Sequence, residues 1–185
     1  MIAIAAPIGG GKSSLVDALA TALGTSQVLR FDDHETATRQ SVAQLSQWLG
    51  QGADFDALEA PGLCEALSSM RGDAPVIFEM PLGRAWSATA ALIDVMVWVD
   101  VPLDIALARR LRDITSNLVK QSPDEMKRGL AWLNDYLAHY AGTLHAVLEA
   151  QRRVVRPQAD LVVDGLRDVA TLAVDVLQFV KAHHV

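Results

Sequence analysis

Three consecutive glycines, followed by a lysine and two serines, lie between an apolar run and a helical pattern near the start of the chain. The apolar run, residues 2–6, is typical of a buried strand that ends where Pro7 and the glycines begin. Leucines then recur at helical spacing over residues 13–23, and Gly24 is a residue type that commonly ends a helix. A strand, a tight loop and a helix are therefore expected in direct succession.

The loop of residues 6–13 reads Ala-Pro-Ile-Gly-Gly-Gly-Lys-Ser, which matches the phosphate-binding pattern Gly-x-x-x-x-Gly-Lys-Ser except for Ala6 in the first position. Glycines let consecutive backbone N–H groups point at one anion, and the helix that follows adds its positive end. Lys12 is expected to reach the β- and γ-phosphates from an exposed loop, and the Ser13 hydroxyl to ligate Mg²⁺. The predicted nucleotide-binding residues are Ile8, Gly9, Gly10, Gly11, Lys12, Ser13 and Ser14.

Further apolar runs alternate with helical patterns along the rest of the chain. Short strands are expected at residues 28–31, 76–79, 95–99 and 161–163. Helices are expected over residues 36–49, 63–70, 103–118 and 169–179, with another from a capping box at Ser122 to about Glu149. Strand interiors that are apolar throughout are typical of a parallel sheet covered on both faces. We therefore expect one α/β domain over residues 1–185, a P-loop NTPase-type three-layer sandwich with a five-stranded parallel sheet.

Acidic residues follow the predicted strands at the sheet edge where ligands bind in such folds. Asp32 follows the second strand and is expected to act as the general base on an acceptor hydroxyl, with Asp33 as the open alternative. Glu79 ends the third strand and Asp100 follows the fourth, and a carboxylate at either position would suit Mg²⁺. We expect the third strand beside the first and the fourth on its far side, which favours Glu79 as the metal residue.

Composition limits the partners that the chain can have. The formal net charge is −6, which argues against a broad nucleic-acid groove, and a single cysteine excludes an internal disulfide. The apolar stretches are too short to span a bilayer, and the apolar start lacks the basic region of a signal peptide. We expect a soluble cytoplasmic protein with a small-molecule substrate and neither a nucleic-acid nor a membrane partner. The oligomeric state stays open.

Longer stretches of the sequence resemble the uridine kinase and phosphoribulokinase group of P-loop kinases. Residues 2–15 are similar to the opening strand and loop of that group, and residues 31–34 (Phe-Asp-Asp-His) to its acceptor-facing motif after the second strand. The closest match lies in residues 97–102 and in residues 109–113 (Arg-Arg-Leu-Arg-Asp), and residues 156–163 resemble the closing strand. The resemblance implies ATP and Mg²⁺ as cofactors and a small helical lid at about residues 109–128. Arg110 and Arg112 of that lid would neutralise the transferring phosphoryl group.

These observations predict an enzyme that moves the γ-phosphate of ATP to a hydroxyl of a nucleoside, sugar or vitamin precursor. Asp33, His34 and Arg84 are candidate substrate residues beside the catalytic set of Lys12, Asp32, Arg110 and Arg112. A regulatory nucleotide-binding module with little turnover stays open, because Ala6, His34 and the Met80-Pro81 pair depart from the family pattern. A nucleoside monophosphate kinase also stays open, with Arg39, Arg71 and Arg84 for the second phosphate. The choice between ATP and GTP is not decided by the sequence.

Overall fold

A computed structural model of the chain describes residues 1–24, 27–34, 41–70 and 74–183. Within these residues, five parallel strands form one sheet in the order β2-β3-β1-β4-β5. The strands are β1 (Ile2–Ala5), β2 (Val28–Arg30), β3 (Ile77–Glu79), β4 (Val95–Asp100) and β5 (Leu161–Asp164). The predicted five-stranded parallel sheet is confirmed, and β3 and β4 flank β1 as expected.

Eight α-helices cover the sheet or extend beyond its edge in the described part of the chain. They are α1 (Lys12–Leu23), α2 (Val42–Gly50), α3 (Leu63–Ser69), α4 (Ser87–Ala90), α5 (Leu103–Leu118), α6 (Pro123–His139), α7 (His145–Val155) and α8 (Val169–Ala182). Short 3₁₀ turns occupy Phe31–Asp33, Phe55–Ala57, Gly83–Ala85 and Arg156–Gln158. None of the helices in the described residues is long and apolar enough to cross a membrane.

Alternate residues of each strand point to opposite faces of the sheet, and each face has its own core. One face carries Ile4 and Val97 and packs against Leu15 of α1 and Val176 of α8. The other face carries larger side chains, including Trp98, and packs against α3 and the end of α7. Both faces are therefore buried, which is why the strand interiors read as continuous apolar runs.

The second helix begins later than the sequence pattern predicts. The Ser41 side chain accepts a hydrogen bond from the Gln44 backbone N–H, and the Gln44 side chain accepts one from the Ser41 N–H. This capping box starts the helix at Val42, because Ser41 itself has an extended backbone. The predicted stretch of residues 36–40 lies outside the described residues.

The long helix predicted after Ser122 is two helices joined by one turn of π-helix. The predicted capping box is present, since the Ser122 hydroxyl donates to Glu125 at 2.6 Å, and this bond holds the pKa of the Glu125 carboxyl below its usual value. After α6 ends at His139, residues Tyr140–Leu144 form the π turn and α7 continues to Val155. The prediction of a single uninterrupted helix was wrong, because hydrophobic spacing does not reveal one extra residue in a turn.

Candidate functional site

The glycine-rich loop curls between β1 and α1 as the sequence pattern indicates. The Gly10 N–H donates to the Pro7 carbonyl at 2.9 Å, and Gly11 has a left-handed backbone (φ 91°) directly before the helix. Gly9 is also left-handed (φ 76°), and a Cβ there would lie 2.1 Å from the carbonyl oxygen of Ala106 in α5. Only glycine allows this approach, so α5 lies directly against the loop. The N–H groups of the first turn of α1 point out of the helix into the loop, where an anion would find them.

Ala6 replaces the first glycine of the pattern without displacing the loop. Its side chain is fully buried, and a Cβ on Gly10 would lie 2.8 Å from the Ala6 methyl. The methyl group therefore fits because Gly10 has no side chain. The Ala6 carbonyl accepts a hydrogen bond from Gln151 Nε2 at 3.2 Å, and the same nitrogen donates to Pro81 at 2.7 Å. Gln151 thus ties the loop strand to the turn after β3.

Lys12 is buried, with 8% of its surface exposed, and the expectation of an exposed lysine was wrong. The reason is that α5 and the sheet edge enclose the loop. Burial lowers the pKa of the Lys12 ammonium, while the charges of Asp32 and Glu79 act in the opposite direction and that of Arg110 adds to the lowering. Lys12 and Arg110 are the cationic groups of this cluster, and an added anion would be attracted to these two side chains.

Ser13, Glu79, Arg30 and Asp17 form a chain of hydrogen bonds at the end of β3. The Ser13 hydroxyl donates to Glu79 Oε1 at 2.7 Å, and Arg30 Nη1 donates to Glu79 Oε2. The other end of the guanidinium, Nη2, donates to Asp17 Oδ1 at 2.7 Å. Glu79 is 3% exposed, and Ser13 and Arg30 provide a hydrogen-bond donor for each of its two buried carboxylate oxygens.

The Ser13 and Glu79 oxygens fit Mg²⁺. Mg²⁺ prefers oxygen ligands at 2.0–2.1 Å in octahedral geometry, which places neighbouring ligand oxygens about 2.9 Å apart. The observed 2.7 Å between Ser13 Oγ and Glu79 Oε1 is close to that value. No group of three or more acidic, histidine or cysteine residues in the described chain would hold a metal by itself. A metal here would therefore take further ligands from phosphates and water.

Asp32 lies on the wall of the cleft that contains the loop, whereas Asp33 and His34 are not among the residues that line it. The two aspartates and Phe31 form a 3₁₀ turn after β2, in which Asp32 and Asp33 are exposed and Phe31 is buried. The His34 backbone N–H donates to the Phe31 carbonyl at 2.9 Å and closes the turn. Of the predicted acceptor residues at this position, the structure brings only Asp32 to the loop.

The arginines of α5 reach the same cleft from the opposite side. Arg109, Arg110 and Arg112 all line it. Arg109 Nη1 donates to the Gly165 carbonyl at 3.0 Å, and Arg112 is 74% exposed with Asp113 at 3.8 Å. Arg110 Nε is buried without a hydrogen-bond partner among the described residues, and the charge of Arg110 acts on Lys12. An added anion above the loop would supply that partner.

The cleft has a volume of about 1100 Å³ and is closed on its far side by α6 and α7. Trp132 stacks on Tyr136 with ring centroids 5.3 Å apart, and both line the cleft with Asp135 and His139. Burial raises the pKa of the Tyr136 hydroxyl, and the charge of Arg110 partly opposes this. The volume is at the upper end of the range found for small-molecule pockets.

Arg84, predicted as a substrate residue, lies away from the cleft and binds other segments of the chain. Its guanidinium donates to the Gln158 carbonyl at 3.0 Å and to Asp160 Oδ2 at 2.8 Å, and it is not among the cleft-lining residues. Asp100, the rival metal residue, accepts from Arg152 at 2.8 Å and from Arg156 at 3.2 Å. Arg84 therefore joins the segments that precede β4 and β5, whereas Asp100 joins the end of β4 to the end of α7 and the turn after it. Arg39 and Arg71 lie outside the described residues.

Sequence reasoning missed several residues of the site. Trp132, Tyr136 and His139 are spaced by four and three residues, which places them on one helix face, and that spacing would have revealed them. Arg30 and Gln151 gave no comparable signal. Each is a single polar residue in an apolar or mixed segment, and its role depends on strands and helices that are distant in sequence.

Neither a protein-family model nor a curated protein sequence matches the chain. Solved structures do. Shikimate kinase from Acinetobacter baumannii in complex with shikimate is 17% identical, with a TM-score of 0.54 over 98% of this chain and 93% of that chain. Shikimate kinase from Aquifex aeolicus vf5 is 17% identical, with a TM-score of 0.53 over 99% and 97%. Deoxyadenosine kinase from M. mycoides with bound dATP is 12% identical, with a TM-score of 0.51 over 97% and 98%.

These likenesses run over nearly the whole of each chain, so they concern the complete sheet and its helices. At 12–17% identity they establish architecture and not reaction. The protein therefore has the P-loop fold that these kinases share.

Proposed function

We propose that the protein is an ATP-dependent phosphotransferase that moves the γ-phosphate to a hydroxyl of a small metabolite. The observation that carries this proposal is the convergence of the loop, Lys12, the Ser13–Glu79 pair, Asp32 and Arg110 on one cleft. Each is of the chemical type that phosphoryl transfer needs, namely anion binding, metal binding, a base and a neutralising cation. All the similar structures described above are kinases.

The loop amides and Lys12 hold the β- and γ-phosphates in this proposal. Ser13 and Glu79 would hold Mg²⁺, which neutralises phosphate charge when it is bound. Asp32 orients the acceptor hydroxyl and accepts its proton as the oxygen attacks the γ-phosphorus and ADP leaves. Arg110 and Arg112 face the oxygens on which negative charge develops. Catalysis is then mainly positioning and charge neutralisation.

The resemblance to the uridine kinase and phosphoribulokinase group supports a nucleoside, a sugar or a vitamin precursor as the acceptor. A monophosphate acceptor has less support, because Arg84 of its three candidate arginines is bound elsewhere. The departure at Ala6 gives the regulatory alternative little support, since the Ala6 methyl lies in the space that the missing side chain of Gly10 leaves. The proposed lid, residues 109–128, would run from within α5 to the start of α6.

An acceptor panel tests the proposal. ADP release from Mg²⁺-ATP is measured with uridine, deoxyadenosine, ribose, shikimate, pantothenate and uridine monophosphate, and the phosphorylated product is identified by mass spectrometry. We expect one class of acceptor to raise ADP release well above the acceptor-free rate, and the Lys12→Met variant to abolish that increase. Tight ATP binding without acceptor-dependent release would support the regulatory module instead. Repeating the active reaction with GTP determines the preferred nucleotide.

A further inference from the structure

Arg30 and Asp17 belong to the hydrogen-bond chain at β3 but have no role in the proposed reaction, and Arg30 is the one of the two that contacts Glu79. In the sheet, Arg30 of β2 and Glu79 of β3 are direct neighbours, and Ile4 of β1 is the next residue in the same row. Paired residues of parallel strands point to the same face, so the register alone places the guanidinium beside the carboxylate. That face is the one covered by α1, which supplies Ser13 and Asp17.

The two oxygens of Glu79 have different partners. Oε1 accepts from the Ser13 hydroxyl, and Oε2 accepts from Arg30. The guanidinium is a rigid fork, and its second arm is held by Asp17, so the position of Oε2 is fixed from β2 and α1 together. The position of Oε1 against Ser13 then follows, because a carboxylate is planar and cannot move one oxygen alone.

The same contact affects Lys12. The Glu79 carboxylate is almost fully buried, and its charge acts on the Lys12 ammonium. A buried carboxylate without a partner is costly and takes the nearest cation. With Arg30 in place, the Glu79 carboxylate pairs with the Arg30 guanidinium. The Lys12 ammonium then stays available to bind phosphate.

We propose that Arg30 is a positioning residue, which holds the Glu79 carboxylate against the Ser13 hydroxyl and keeps it from capturing Lys12. The inference rests on the proposed function, because it assigns Lys12 to phosphate. Arg30 acts through Glu79 and does not touch the nucleotide. Loss of Arg30 therefore weakens nucleotide binding only while Glu79 carries its charge.

A double-mutant cycle on ADP affinity tests this. Calorimetric titration with ADP in EDTA is carried out on the wild type, Arg30→Gln, Glu79→Gln and the double variant, with thermal unfolding to confirm folding. We expect Arg30→Gln to weaken ADP binding about tenfold in the wild-type background, as expected for loss of a charged hydrogen bond. In the Glu79→Gln background, we expect the same change to weaken binding by less than about threefold. Arg30→Lys, which keeps the charge but loses the fork, should lie between, and it replaces Arg30→Gln in the cycle if that variant does not fold.

The control is Asp17→Asn, which removes the charge at the more exposed end of the chain but keeps a side-chain oxygen that can accept from Arg30, so that the guanidinium stays in place. Its ADP affinity should stay within about twofold of the wild type, since Asp17 is 67% exposed. An equal loss in both Glu79 backgrounds would mean that Arg30 acts on the nucleotide directly, and no loss in either would mean a purely structural arginine. Both outcomes overturn this inference and leave the proposed function standing. A wild-type chain that does not bind ADP overturns both.

Discussion

The two sides of the cleft differ in how their charges are held. On the loop side, Ser13, Glu79, Arg30 and Asp17 are joined by successive hydrogen bonds, and Glu79 is buried. On the α5 side, Arg112 is mostly exposed and meets Asp113 only at 3.8 Å. The loop side is joined by hydrogen bonds without a ligand, whereas on the α5 side Arg109 is bound to the Gly165 carbonyl but Arg112 extends mostly into solvent. Preorganised charges stabilise a transition state without rearrangement, while groups that move can close over the substrate and exclude water.

The largest expected effect comes from the loop side, at Lys12. We expect Lys12→Met to lower kcat about a thousandfold, because it removes a desolvated charge aimed at the phosphates. The thermal midpoint should not fall, since methionine fills the same space and burial already disfavours the charged lysine. Steady-state kinetics measures the expected fall in kcat, and thermal unfolding measures the midpoint. Turnover and nucleotide affinity equal to the wild type would contradict the assignment of the loop.

The second prediction distinguishes Asp32 from Asp33 as the general base. Asp32→Asn should lower kcat about a hundredfold and leave ATP affinity nearly unchanged, because an amide cannot accept the hydroxyl proton. Asp33→Asn is the matched control, since Asp33 lies in the same turn but does not line the cleft. Single-turnover rates separate chemistry from binding in both variants. The reverse ranking would show that Asp33 is the base.

A smaller effect is expected on the α5 side. Arg112→Gln should lower kcat about tenfold, because one of the arginines that face the phosphoryl group is lost while Arg110 remains. Hydrogen exchange over residues 111–123 should be fast in the free wild-type protein and slower with ATP analogue and acceptor bound. The variant should lose most of that slowing. Full protection in the free protein would mean that this side is as fixed as the loop side.

The smallest effect on turnover is expected at Arg84, outside both regions. Arg84→Met should leave kcat and KM unchanged but lower the free energy of unfolding by about 1–2 kcal/mol, through loss of its hydrogen bonds. Burial alone would raise the pKa of the Asp160 carboxyl, but the Arg84 and Met96 hydrogen bonds hold it below its ordinary value. Because the pKa of this carboxyl is lower in the folded protein than in the unfolded chain, its ionised form stabilises the fold at pH values above the unfolded pKa. That stabilisation is lost as the pH falls through the folded pKa.

The stability difference between wild type and Arg84→Met should therefore shrink as the pH falls below the ordinary range for an aspartate. Urea unfolding at pH 7 and near pH 3 measures it. A variant with normal stability but a raised KM for the acceptor would return Arg84 to the substrate site.

The sheet and the loop could be predicted from the sequence because their signals are local. Apolar runs that end in Gly, Asp or Glu indicate the strands and the carboxyl edge of the sheet, where ligands bind. The positions of β3 and β4 on either side of β1 were expected from the fold class. The burial of Lys12 could not be predicted, because it depends on the approach of α5 to the loop. The two residues in contact there, Gly9 and Ala106, are 97 residues apart in the sequence. Arg84 looked like a site residue only because it follows β3. Its partners come from the segments around Asp94 and Gln158.

The turn Tyr140–Leu144 also has a consequence for insertions and deletions. A π turn carries one residue more than the α-helix around it, and one residue corresponds to about 100° of rotation. The phase of α7 is therefore set by this turn. Gln151 faces the Ala6 carbonyl and Arg152 faces Asp100 only with the extra residue in place. Gly142 is exposed and has open space around it, and its deletion would rotate α7 about the helix axis by about 100°. It would detach the helix from the phosphate loop without altering any residue that contacts the loop.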